Sequence, residues 1–151
     1  MIIEQTAIIE APLGFVMQMM SNVESIPIWA TVEGHIDNVV GNGPGMSYDW
    51  RFTVDGIEFK GRCQVLEQTA DTLITETTGD ITSIWSIRLT PAGQHSTIMH
   101  VTVEYMPFNA FVEVLTDLVI QRYATPEEAR ENMRRFKELV EERVKLAIKY
   151  V

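Results

Sequence analysis

The sequence predicts an α+β protein in which an antiparallel sheet packs against a long C-terminal helix. Three observations lead to this prediction: a strand followed by two short helical stretches, period-two alternation from Thr31 to Met106, and an apolar helical stripe after Thr125. Strands that follow one another through short turns form an antiparallel meander. The chain has 151 residues with no linker or repeat, which predicts one domain over residues 1–151.

The first part of the chain is expected to form a strand and two short helices. Residues Ile2 to Ile9 are mostly apolar or β-branched, which favours a strand. Pro12 suits a first helical turn, because its missing N–H would have no partner there anyway. Apolar residues then recur at helical spacing up to Met20. Ser21 and Glu24 have the spacing of a capping box and predict the start of the second helix.

The middle of the chain alternates between apolar and polar residues. The clearest example runs from Met46 to Val54, which indicates one buried and one exposed face. Asp55-Gly56 is a tight-turn pair that leads into a return strand. Further turns at Ala70-Asp71, Gly79-Asp80 and Pro91-Ala92-Gly93 separate the later strands.

The last part predicts a long amphipathic helix. Thr125-Pro126-Glu127-Glu128 combines a capping threonine, a proline at the first position and acidic residues in the first turn. The residues after it carry an apolar stripe at helical spacing. Its members are Ala129, Met133, Phe136, Val140, Val144, Ala147 and Ile148.

Charge and composition exclude several classes of partner. The 12 basic residues are outnumbered by 21 acidic ones, and the net charge is -9, so nucleic acid and anionic membrane surfaces are not expected partners. No stretch approaches the ~20 apolar residues of a membrane span, so no integral membrane association is expected. Cys63 is the only cysteine and no secretion signal is evident, which predicts a cytoplasmic location.

The order of elements resembles the START-like (SRPBCC) superfamily, in its polyketide cyclase/dehydrase-like branch, over essentially the whole chain. The most specific piece is an N-terminal signature. It comprises Ile9-Glu10-Ala11-Pro12, Val16, Ser21-Asn22-Val23-Glu24, Pro27 and Trp29. Later pieces fall where the family pattern expects them: Asp55-Gly56, Leu89-Thr90-Pro91, Gly93, Val101 to Tyr105, and Met133 to Glu141.

The chain departs from the family pattern in two places. His95-Ser96-Thr97 stands where many relatives have Gly-Thr, which affects the expected turn geometry. The apolar segment from Phe108 to Tyr123 is the second departure, and it is a candidate lid or a candidate homodimer surface.

The resemblance implies a helix-grip fold, in which a curved antiparallel sheet wraps around the long helix and a ligand cavity opens between them. Such a pocket does not by itself imply a reaction. Alternation then places a set of inward-facing side chains in the ligand-binding lining, with Trp29 at its mouth. This set is Tyr48, Trp50, Phe52, Phe59, Cys63, Ser83, Trp85, Ile87, Met99, Val101, Val103 and Tyr105 from the sheet, and Met133, Phe136 and Val140 from the helix.

The same residues could instead fill a solid core, which is the usual role of large aromatics on one face. Tyr48 and Tyr105 are the best candidates for polar contacts with a ligand, because a buried phenol needs a hydrogen-bond partner. A partner on the protein would serve equally well. Trp29 is open to the same alternative of structural packing.

Other chemistry has weaker support in the sequence. His35, His95 and His100 are scattered, so no metal site is predicted, and no cofactor motif is present. His35 and Asp37 share a strand face and form a conceivable acid–base pair, although solvent exposure of both is the favoured interpretation. Cys63 lacks a catalytic signature. The glycine-rich run from Gly41 to Gly45 lacks the ending of a phosphate loop and predicts a hairpin loop at the cavity rim.

Three functions follow from these observations, in decreasing order of preference. The first is binding of a small hydrophobic molecule such as a lipid, a quinone or a polyketide-like aromatic. The second is a polyketide cyclase/dehydrase-type enzyme, with Tyr48, Tyr105 and His35 as the candidate catalytic residues. The third is a co-chaperone-like interaction module that uses the acidic surface and the segment from Phe108 to Tyr123.

Overall fold

The computed structural model describes residues 2–106 and 125–149. The chain begins with strand β1 (Ile2–Ile9), helix α1 (Leu13–Ser21), a 3-10 turn (Val23–Ser25) and helix α2 (Ile26–Trp29). Strands β2 (Glu33–Val40), β3 (Ser47–Val54), β4 (Ile57–Gln68), β5 (Thr72–Gly79), β6 (Thr82–Pro91) and β7 (Thr97–Met106) follow. Helix α3 (Pro126–Lys149) comes last. The segment Phe108–Tyr123, a candidate lid or dimer surface, lies outside the described residues.

The strands form one antiparallel sheet in the order β1-β7-β6-β5-β4-β3-β2. Strands β2 to β7 are a meander, and β1 pairs with β7 so that Ile3 lies opposite Val103. Asp55 and Gly56 make the tight turn between β3 and β4, with φ angles of 51° and 78°. The predicted meander and this turn are confirmed.

The inner face of the sheet follows the predicted alternation, and one position on it requires glycine. Trp50 lies directly opposite Gly61 on the neighbouring strand. A Cβ atom on Gly61 would come within 2.4 Å of the Trp50 ring and 2.0 Å of the Thr78 carbonyl oxygen. The indole therefore lies against bare backbone, where no other residue would fit.

Helix α3 lies along β1 and is held there by both apolar and polar contacts. Phe136 is only 1% exposed. On the edge of the helix, Lys137 Nζ donates to the Ile8 carbonyl at 2.7 Å, and Glu141 Oε2 accepts from the Glu10 N–H at 2.8 Å. These contacts use backbone groups of β1, which is an edge strand, and of the residue that follows it.

One predicted helix cap is confirmed and the other is wrong. Thr125 Oγ1 accepts from the Glu128 N–H at 3.2 Å at the start of α3, as expected. Ser21 instead ends α1, and its hydroxyl donates to the Met17 carbonyl at 2.7 Å, so it caps no following helix. A serine hydroxyl can donate to a carbonyl one turn earlier in the helix. Here that local bond forms instead of the predicted capping box with Glu24.

Candidate functional site

A small cavity lies between the first half of α3 and the part of the sheet formed by β1, β7 and β6, which we call the cavity side. Its volume is about 80 Å³. A single water needs only about 10–15 Å³ of such space, so the cavity exceeds what one or two waters would fill. Its described lining is mostly apolar and consists of Ile3, Gln5, Met20, Trp29, Trp85, Ile87, Met99, Val101, Val103, Tyr105, Thr125, Ala129, Asn132, Met133 and Phe136.

The structure brings many of the predicted site residues together around this cavity. They come from the end of α2, from β6 and β7, and from α3. The predicted residues in the lining are Trp29, Trp85, Ile87, Met99, Val101, Val103, Tyr105, Met133 and Phe136. The remaining predicted residues, which are Tyr48, Trp50, Phe52, Phe59, Cys63, Ser83 and Val140, do not line it.

Three of those remaining residues form a stacked aromatic cluster on β3 and β4, which we call the packed side. The rings of Trp50 and Phe52 stack with centroids 5.2 Å apart, and those of Phe52 and Phe59 with centroids 5.5 Å apart. Phe59 is 4% exposed. Alternation correctly predicts that these rings face inward, but they fill space with one another instead of enclosing a cavity.

Tyr48 finds its partner within the protein. It lies opposite Cys63, and the two side chains share a hydrogen bond. Burial, together with the nearby Cys63, holds the pKa of the Tyr48 phenol far above its usual value. Burial also raises the pKa of the Cys63 thiol, against hydrogen bonds with Tyr48 and Thr75 that act to lower it. Both groups therefore stay protonated at neutral pH and serve packing.

Val140 lies one turn beyond Phe136 on α3 and is completely buried. It belongs to the hydrophobic core next to the cavity. Its position on the apolar stripe was correctly predicted, but the cavity ends before this turn of the helix.

Two aromatic side chains that line the cavity from the sheet, Trp85 and Tyr105, each carry a polar group. Trp85 Nε1 donates to Ser83 Oγ at 3.1 Å, and Ser83 Oγ also contacts the Thr77 hydroxyl. Burial raises the pKa of Tyr105 to about 12. The Tyr105 phenol is therefore a hydrogen-bonding group at neutral pH and not a base.

Sequence reasoning missed two polar residues of the lining, Gln5 and Asn132. Gln5 Nε2 donates to the Pro126 carbonyl at 3.2 Å, and Asn132 Oδ1 accepts from the Thr31 N–H at 2.8 Å. Gln5 lies on the same face of β1 as Ile3 and Ile9, and this alternation could have indicated that its side chain faces the cavity. Asn132 lies three residues after Ala129 and four before Phe136, so its helical spacing relative to the apolar stripe was the available signal.

The other predicted candidates lie away from the cavity. His35 and Asp37 are both exposed on β2, where Asp37 pairs with Arg51 at 3.3 Å. His100 Nδ1 bonds the Thr6 hydroxyl at 2.7 Å. The run from Gly41 to Gly45 connects β2 and β3 and is not part of the described lining, so its predicted place at the cavity rim is wrong.

The described residues contain neither a metal cluster nor a membrane-spanning helix. Across residues 2–106 and 125–149, no three His, Cys, Asp or Glu side chains come together as a metal site. None of the helices in these ranges has the length and apolar character needed to cross a bilayer.

A curved antiparallel sheet gripping a long helix, with an apolar cavity between them, defines a helix-grip protein. The chain belongs to the family described as polyketide cyclase/dehydrase and lipid transport, whose model matches residues 1–141. The predicted superfamily and fold are thereby confirmed. No curated protein matches the chain in sequence.

Solved structures share this fold at low sequence identity. The Zhui aromatase/cyclase of Streptomyces sp. R1128 is 12% identical with a TM-score of 0.69, covering 95% of both chains. Norcoclaurine synthase of Thalictrum flavum is 15% identical with a TM-score of 0.67, again covering 95% of both. A START superfamily protein of Mycobacterium smegmatis is 17% identical with a TM-score of 0.54, covering 87% of this chain and 97% of that one. These similarities concern the fold alone.

Proposed function

We propose that this chain binds one small, mostly apolar molecule in the cavity between α3 and the cavity side of the sheet. The observation that carries the proposal is the apolar space of about 80 Å³ beneath the helix. Protein interiors are normally packed as densely as organic crystals, and unfilled apolar space lowers stability. An apolar cavity enclosed between sheet and helix therefore suggests that the space is kept for a bound molecule.

The chemistry of the lining supports binding ahead of catalysis. The described lining contains no carboxylate, histidine or lysine that could transfer a proton near neutral pH. Among the predicted catalytic suspects, only Tyr105 is in it, and its raised pKa keeps the phenol protonated. Tyr48 is bonded to Cys63, and His35 is exposed on β2.

A cyclase/dehydrase-type reaction is the second candidate. It is favoured by the family to which the chain belongs and by the fold shared with an aromatase/cyclase. In such a reaction the cavity would hold the substrate in a reactive shape, and Tyr105 would donate a hydrogen bond. A cytoplasmic location, a homodimer and an interaction role stay predictions from the sequence.

The binding proposal is tested by calorimetric titration of the protein with naphthalene, a neutral apolar probe. We expect saturable binding of one naphthalene per chain. A matched pair of variants locates the site. Ala129→Phe adds a ring to a residue of the lining, whereas Ala147→Phe adds the same ring to an exposed position of the same helix.

We expect Ala129→Phe to weaken naphthalene binding at least tenfold and Ala147→Phe to leave it unchanged. Circular dichroism of both variants checks that the fold is kept. If naphthalene does not bind, or binds equally well to folded Ala129→Phe, the proposed site is wrong.

A further inference from the structure

We infer that the natural occupant of the cavity carries an uncharged hydrogen-bond acceptor, a carbonyl oxygen, that accepts from the indole N–H of Trp29. This inference rests on the proposed binding function and adds the chemical class of the ligand. It assigns Trp29 as the residue that selects a carbonyl compound over a plain hydrocarbon.

Trp29 carries a polar group for which the described residues supply no partner. Its side chain lines the cavity and meets Phe136 edge to face, with ring centroids 5.6 Å apart and an angle of 72°. Its Nε1 atom is buried and has no hydrogen-bond partner within the described part of the chain. An N–H group removed from water without a partner costs free energy, and an acceptor in the cavity would recover it.

Four other polar side chains of the lining have hydrogen-bond partners in the protein. Each makes at least one hydrogen bond to backbone or to a neighbouring side chain, so none matches the isolation of the Trp29 N–H. These side chains are Gln5, Trp85, Thr125 and Asn132.

The acceptor is expected to be uncharged. None of the residues that the structure describes in the lining is Lys, Arg or His. The chain as a whole has a net charge of -9. A carboxylate or phosphate in this cavity would be desolvated without a positive partner, which is strongly unfavourable. A ketone, aldehyde or quinone carbonyl on an apolar body fits the lining instead.

A second tryptophan provides an internal control. Trp50 Nε1 is also buried without a partner in the described ranges, but Trp50 is on the packed side and does not line the cavity. A ligand in the cavity should therefore affect the N–H of Trp29 and leave that of Trp50 alone. The two groups differ in their access to the cavity and share the lack of a partner.

The test uses 1-tetralone and tetralin, which have the same ring skeleton and differ in one carbonyl group. Two-dimensional ¹H–¹⁵N spectra report the indole N–H signals, assigned with Trp29→Phe and Trp50→Phe. We expect 1-tetralone to move the Trp29 signal downfield, as a new hydrogen bond requires, and tetralin to cause no such shift. The Trp50 signal should stay in place with both compounds.

Affinities give the second readout. The ratio of the tetralin to the 1-tetralone dissociation constant should fall about three- to tenfold in Trp29→Phe, the loss of one hydrogen bond. It should be unchanged in Trp50→Phe. If a variant fails to fold, the response of the Trp29 N–H signal to 1-tetralone and tetralin in the unmodified protein still tests the proposed hydrogen bond.

The outcomes separate the two proposals. If neither compound binds, the binding function itself fails. If both bind while the Trp29 N–H signal does not respond to the carbonyl and the affinity ratio is kept in folded Trp29→Phe, the ligand class proposed here is overturned and the binding function stands.

Discussion

The packed side and the cavity side of the sheet use inward-facing aromatic residues in opposite ways. On the packed side, Trp50, Phe52 and Phe59 stack on one another, and Trp50 covers Gly61. On the cavity side, Trp85 and Tyr105 line a space beneath α3. The same alternating pattern therefore produces solid packing on one side and an open space on the other.

The placement of α3 accounts for the cavity side. The helix lies along β1, where Lys137 and Glu141 bond the backbone of residues 8 and 10. These polar contacts tie the helix to the edge of the sheet. The apolar space of about 80 Å³ lies beneath the first half of the helix.

Truncation of a ring on the packed side should have the largest effect on stability. Phe59→Ala removes a ring that is 4% exposed and stacked on Phe52, so we expect it to lower the free energy of unfolding by about 4 kcal/mol. Urea denaturation measures the change. Ile57→Ala, in the same strand but 48% exposed, is the control and should cost well under half as much. A similar loss for both would mean that the packed side is not packed as described.

Addition of a single carbon on the packed side should also be costly. In Gly61→Ala the new Cβ would meet the Thr78 carbonyl oxygen at 2.0 Å, so backbone must shift. We expect a loss of about 3 kcal/mol in the free energy of unfolding, again from urea denaturation. Gly14→Ala is the control, since a Cβ there meets nothing within 4 Å, and it should be neutral or stabilising. Equal behaviour of the two variants would contradict the close approach of Trp50.

The polar contacts that hold α3 should give a smaller, pH-dependent effect. Partial burial acts to raise the pKa of Glu141, but hydrogen bonds from Lys137 and from the Glu10 N–H outweigh it, so the pKa is lowered overall. A lowered pKa in the folded chain adds stability that is full at neutral pH and is lost as the pH falls through the folded value. Glu141→Gln should therefore cost about 1 kcal/mol at pH 7, and the cost should shrink as the pH falls through the lowered pKa of Glu141 in the folded chain.

Urea denaturation at a series of pH values measures this difference. The matched control is Glu142→Gln, which changes an exposed neighbour on the same helix. If the cost of Glu141→Gln were independent of pH, the ionised contact with β1 would not be what holds the helix.

Addition of one carbon on the cavity side should have the smallest effect. Val101→Ile extends a residue of the lining into free space, so we expect a change of within about 0.5 kcal/mol in the free energy of unfolding. The contrast with Gly61→Ala, which also adds one carbon, compares the two sides directly. A loss as large as that of Gly61→Ala would show that no room exists at Val101.

The sequence predicted the fold and the inner face well because both depend on local patterns. Alternation along Met46 to Val54 and the Asp55-Gly56 turn indicated two strands joined by a hairpin, and the Thr125 cap indicated the start of α3. The division into a packed and a cavity side could not be predicted. It depends on contacts between residues far apart in sequence, such as Lys137 with Ile8 and Gln5 with Pro126.

The bound state of the protein in its own host tests the central claim most directly. Native mass spectrometry of the purified protein should show the mass of one chain plus one small molecule, and denaturation should release that molecule. Folded Ala129→Phe, isolated in the same way, should carry no added mass. Unmodified protein that is consistently found without a bound molecule would contradict the account.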